Sequence, residues 1–136
     1  LNFRDELTLA LQPELELPNA AWSDEEQQAY EQVLERLRAP ADLALPHHRL
    51  LGHPDTIQDD MRLQCQLTPH GITDIDDPRV AALEAGALDW RLLLQIDTDA
   101  NAGMRWANNG TLYYWLKQAD LQAWRFDQSW LVLQSE

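Results

Sequence analysis

Thr111–Lys117, "TLYYWLK", constrains the fold more than any other stretch of this chain. Written as a strand, it sends Leu112, Tyr114 and Leu116 to one side and Thr111, Tyr113, Trp115 and Lys117 to the other, because successive strand side chains alternate. Aromatic rings therefore stand on both faces. One face has to be core, and the other needs a helix, a further piece of chain or a partner to cover it. An interior place is the more ordinary one for such rings. The candidate interaction residues are Tyr113 and Trp115 on one face, or Tyr114 on the other.

The rest of the C-terminal half is written in the same way. "WRLLLQI" is a short apolar run that suits a buried strand over 90–96. "GMRWANNGTLYYWL" reads as strand pieces near 103–107 and 110–117 folded about Asn109-Gly110, since Asn-Gly is a strong hairpin signal. "QADLQAW" suits one or two helical turns, and "SWLVLQ" a closing strand over 129–134. Five of the six tryptophans lie beyond residue 89, which weights the core or a binding face towards this half.

Upstream, helical and irregular patterns dominate. "ELTLALQPELELP" spaces leucines by two and predicts a strand near 7–12, with Pro13 at a bulge or an edge. "WSDEEQQAYEQVLERLRAP" predicts a helix over 24–38. Ser23 and Glu26 form a capping box, acidic residues crowd the first turn, and Pro40 ends it. Ala29, Tyr30, Val33, Leu34 and Leu37 make its apolar stripe. Residues 40–58 carry three prolines and a glycine and read as a long, largely irregular loop. "DDMRLQCQLTPHG" fits a strand by alternation, or a helix capped by Asp59 or Asp60 and ending near Gly71, and the helix is preferred. "DDPRVAALEAGALD" predicts a helix near 78–87, capped by Asp77 with Pro78 in its first turn. The expectation is one α+β domain with a predominantly antiparallel β-sheet packed against a few helices.

At 136 residues the chain is long enough to bury a sizeable core. With 23 acidic and 10 basic residues its formal charge is −13, which disfavours nucleic acid and anionic membrane as partners. No apolar run is long enough to span a bilayer, and the N-terminus lacks the basic start and apolar centre of a signal peptide. Opening at Leu1 is what a fragment or a trimmed chain would show. Cys65 is alone, so there is no internal disulfide framework, and a reducing cytoplasm is expected.

"LLGHPDTIQDDMRLQCQL", "DWRLLLQIDTD", "GMRWANNGTLYYWL" and "DLQAWRFDQSWLVLQ" together resemble the bacterial YwqG-like family, in that family's order, over roughly residues 47–135. The resemblance implies a sheet-based α+β fold. It also implies that the chain is the C-terminal portion of a larger domain with another strand-rich part upstream. It implies no reaction and no ligand. His53 stands where members of that family usually carry an aromatic residue.

Chemistry has few places to sit. Asp97, Asp99 and Asn101 alternate as calcium ligands do. However, Ala102 holds the place of the loop glycine and Asn108 that of the closing glutamate. A strand-end loop whose Asp and Asn bond their own backbone is the better reading. His47, His48, His53 and His70, with Asp55, lack the spacing that puts two zinc ligands on one helix face, and loop histidines are expected to face water. Cys65 has no activating neighbours and reads as core. No nucleophile elbow or phosphate-cradling glycine loop is present, and no cofactor is expected. The candidate ligand-binding residues are Gly52, His53, Pro54 and Gln58 in the loop, Gln95 in its apolar strand, and Trp106. A buried Gln95 must satisfy its amide, so Gln95 or Gln58 is expected to pin the long loop onto the sheet. Two functions follow: a non-enzymatic protein-interaction module, acting on a partner or by self-association, or a small-molecule site or enzyme between the sheet and the Gly52–Gln58 loop.

Overall fold

The computed structural model describes residues 5–10, 13–17, 20–37 and 46–136. The chain divides into two compact units, residues 1–46 and 47–136. In the first, the leucine alternation does not make a strand. Residues 5–10 are without regular structure, 11 and 12 lie outside the described residues, and Pro13 opens a short helix, α1 (Pro13–Glu16). Proline suits a first helical turn, where its missing N–H has no partner to lose. Helix α2 (Asp24–Leu37) forms as its cap predicts. The Ser23 N–H and hydroxyl both donate to Glu26 Oε2 at 2.8 Å, and the Glu26 N–H returns a 3.3 Å bond to the Ser23 hydroxyl. Trp22 meets Tyr30 edge-on, and the Tyr30 hydroxyl donates to the Ala10 carbonyl at 2.7 Å. Val33 and Leu37 of the apolar stripe are exposed.

The second unit holds a four-stranded, wholly antiparallel sheet in the order β1 (Arg49–Leu50), β2 (Trp90–Asp97), β3 (Thr111–Lys117), β4 (Trp130–Gln134). Between β1 and β2 come α3 (Arg62–Leu67) and α4 (Val80–Leu83), each continued by a tighter 3-10 turn, Thr68–His70 and Glu84–Asp89. Asp60 accepts from the Arg62 N–H and Gly71 closes in the left-handed region, so the ambiguous stretch 59–70 resolves as helix over residues 62–70, with no strand in it. The predicted helix near 78–87 is shorter in its α part, with Asp77 bonding the Arg79 N–H ahead of it. Helix α5 (Gln118–Gln122) follows β3 directly.

The fold class is α+β, as the patterning implies. Two details of the sheet differ from expectation. Residues 103–107 form no strand and only Met104 makes an isolated bridge, to Asp99. Asn109-Gly110 is consequently not a hairpin turn. The tight turn carrying it closes by the Gly110 N–H on the Trp106 carbonyl at 2.7 Å, and β3 pairs with β2 and β4 instead. The other detail is β1, a two-residue edge strand inside the stretch read as loop. The core lies on the inward face of the sheet, where Met61 and Cys65 pack against Trp90, Leu92, Tyr113, Trp115 and Val132. A satellite of Leu63, Leu67, Ile72, Val80 and Leu83 joins α3 to α4.

Candidate interaction face and the pinned loop

The register of β2 slips between Leu92 and Leu94: Leu92 pairs with Trp115 but Leu94 with Tyr114, leaving Leu93 as the extra residue of a bulge. Simple alternation would set Leu92, Leu94 and Ile96 on one face. The bulge instead turns Gln95 and Asp97 to the same inward side as Trp90 and Leu92. Arg49, Gln95, Tyr113 and Val132 thus form one row across four strands, with Asp97, Thr111 and Gln134 in the next.

This inward row holds the loop after β1. Gln95 Oε1 accepts from the Asp55 N–H at 2.9 Å, and Gln95 Nε2 donates to the His47 carbonyl at 2.9 Å. The Tyr113 hydroxyl donates to the Asp55 carbonyl at 2.7 Å. One row down, Gln134 Oε1 accepts from the Ile57 and Gln58 N–H groups, and Gln134 Nε2 donates to the Asp59 carbonyl. Burial explains why the sheet spends polar side chains here. A loop laid over a buried face brings part-buried backbone N–H and C=O groups against it, and groups drawn away from water need partners. The Asp55 carboxylate meets Arg49 at 2.8 Å and His47 at 3.5 Å. Leu51 and Gly52, both in the left-handed region, turn the chain from β1 into this loop.

Each candidate residue now has a place. Gln95 does pin the loop. Gln58 contributes through its Nε2 bond to the Ser135 carbonyl, while the second pin is Gln134, which the sequence reading passed over. It sits alternate with Val132 on an apolar strand, the same signal that singled out Gln95. The His53 carbonyl accepts from Arg49 Nη1, and Pro54 is half-buried in the loop. Trp106 lies apart from them, its ring N–H on the Asp97 carbonyl at 3.2 Å.

Asp97, Asp99 and Asn101 do not turn their oxygens to one centre. Asp97 Oδ1 takes the Thr98 N–H and the Thr111 hydroxyl, and Asp97 Oδ2 takes the His47 N–H. Asp99 Oδ1 takes the Asn101 and Ala102 N–H groups in an Asx turn. The histidines next to β1 are tied to the sheet rather than simply facing water. His48 Nδ1 accepts the Asp97 N–H at 3.2 Å, and His48 Nε2 lies 3.6 Å from Asp99. That acceptor role puts the proton of neutral His48 on Nε2, towards Asp99. Among the described residues no group of three or more His, Cys, Asp and Glu is placed to hold a metal ion. Cys65 is fully buried, and burial pushes its thiol up to about 12, so it packs rather than reacts.

The outward face is different in kind. Leu50, Leu94, Tyr114 and Leu131 form one cross-strand row and Ile96, Leu112 and Leu133 the next. Leu50 is 68% exposed, Leu131 47% and Leu133 48%. Tyr113 and Trp115, candidates for interaction, are core residues at 0% and 2% exposure, and this moves the interaction reading to Tyr114 and its row.

Over residues 4–135 the chain matches the family described as Domain of unknown function (DUF1963). It belongs to that family. No curated protein matches it. The match to DUF1963 runs through both compact units and includes the pinned loop and all four strands.

Proposed function

We propose that this DUF1963 chain is a non-enzymatic protein-interaction module, YwqG-like, of the bacterial cytoplasm. On this reading it forms the C-terminal portion of a larger domain. The observation that carries the proposal is the outward face, where two adjoining cross-strand rows of leucine, isoleucine and tyrosine lie side by side in a chain of net charge −13. Contiguous apolar surface of this kind marks contact sites, because leaving it in water costs about 25 cal/mol for each Å². No helix among the described residues is long and apolar enough to cross a membrane. The acidic balance also argues against nucleic acid.

The competing site, between the sheet and the Gly52–Gln58 loop, has less support. Gln95, Tyr113 and Gln134 do converge there, but their polar atoms are engaged with the loop backbone. The test is affinity capture with three versions of the chain: wild type, Leu50→Lys with Leu133→Lys, and a control, Ile75→Lys, at a residue 68% exposed elsewhere. A partner retained by wild type and control but lost from the double variant is expected. Equal recovery by all three would remove the interaction reading.

A further inference from the structure

We propose that β4 is a self-association edge, through which two copies pair their Trp130–Gln134 strands antiparallel about a two-fold axis at Val132. The inference rests on the interaction reading above and names a second copy of this chain as the occupant. Its first support is the state of the edge. β4 ends the sheet, and among the described residues no backbone bond reaches Leu131, Val132 or Leu133 from outside the β3 ladder. Sheet edges are normally kept single by charges, prolines, bulges or extreme shortness. The opposite edge, β1, is two residues long and carries Arg49. β4 is five residues, "WLVLQ", with no charge, no proline and no slip in its register against β3.

The second support decides the occupant. "Leu-Val-Leu" reads the same in both directions, so strand β4 is complementary to itself under a two-fold axis. Pairing about Val132 sets Leu131 directly opposite Leu133 of the partner subunit on the outward face. Both are about half exposed in the single chain. Val132 meets the partner's Val132 on the inward side, extending the row of Gln95 and Tyr113. The outward rows of leucine, isoleucine and tyrosine would then run without a break across both sheets. Charge points the same way. A strand with no charged residue has nothing with which to select a basic or acidic partner, whereas an identical strand matches it with no charge left unpaired. Elsewhere two chains of −13 repel, so association should strengthen as salt screens that repulsion.

Sedimentation of the purified chain at micromolar concentration, in low and in high salt, tests the proposal. A dimer favoured by salt is expected. Leu131→Lys should weaken it by about tenfold or more, by placing a charge against an apolar neighbour. An unchanged circular dichroism spectrum and urea transition would show that this variant still folds. Register is read by mixing Leu131→Cys with Leu133→Cys, which should crosslink with each other faster than either does with itself. A monomer at every salt concentration, or crosslinking that favours like with like, overturns the proposal. A monomer whose captured partner is lost on Leu131→Lys would overturn only the choice of occupant. If no partner responds to the face at all, the interaction reading falls as well.

Discussion

Gln95 is 2% exposed and bonds the Asp55 N–H and the His47 C=O at once, so its removal takes a hydrogen bond from two part-buried backbone groups. Gln95→Leu should cost on the order of 2 kcal/mol in urea unfolding, because an unsatisfied buried polar group keeps its full desolvation penalty. Faster hydrogen exchange at the Asp55 amide should accompany it. Gly110 is constrained differently, by space. A Cβ there would stand 2.5 Å from the Trp106 carbonyl oxygen and 2.8 Å from that of Gln134. Neither is the end of a flexible side chain, so Gly110→Ala should destabilise by roughly 3 kcal/mol, the upper range for overpacking. Cys65 and Tyr113 set an alkaline limit. Burial pushes both acids up to about 12, while the unfolded thiol and phenol ionise near 9 and 10. Their contribution to stability is fully present below pH 9 and is lost as pH rises towards 12, since only the unfolded chain releases the proton early. Urea midpoints should therefore fall between pH 9 and pH 12, and less steeply in Cys65→Ala. That Gln95 needs partners follows from its place in an apolar run. Which partners it finds does not, because Asp55 and His47 are forty or more positions away.

At the scale of elements, the structures that close their own bonds locally are the legible ones. Helix α2 carries its cap in Ser23 and Glu26, and the hydrogen bonds from Ser23 hold the Glu26 carboxyl below its ordinary value. A carboxyl lowered by folding stabilises above its unfolded pKa and ceases to do so as acid protonates it. Ser23→Ala should accordingly reduce the helical circular dichroism signal at neutral pH, and the difference from wild type should shrink in acid. Strands β2, β3 and β4 declare themselves by apolar runs. β1 does not, since two residues carry no periodicity and their pairing with Leu94 and Gln95 is set by β2. The stretch 103–107 failed the other way. An Asn-Gly signal was present, but β3 finds its neighbours in β2 and β4, and the backbone near Met104 turns back on Asp99 instead. Near Pro13 local helix geometry prevailed over the leucine alternation.

At the scale of the molecule, both buried apolar clusters found among the described residues lie within residues 47–136. That segment alone should fold cooperatively and keep its four-stranded sheet, as a two-state urea transition and a retained near-ultraviolet tryptophan signal would show. Loss of cooperativity on removing residues 1–46 would mean that the sheet needs the first unit. What the amino-acid order determined by itself was the class, α+β with an antiparallel sheet, and the demand of "TLYYWLK" for cover on both faces, because side-chain period and turn chemistry are local properties. It also marked Gln95 as a buried amide in search of partners. Only the tertiary structure decided which aromatic face is core. The extra residue at Leu93 shifts the phase of β2, placing Gln95 beside Tyr113 and leaving Tyr114 among the outward leucines. A bulge has no reliable local signature in a run of three leucines, since any of them can be the unpaired one until the neighbouring strand supplies the register.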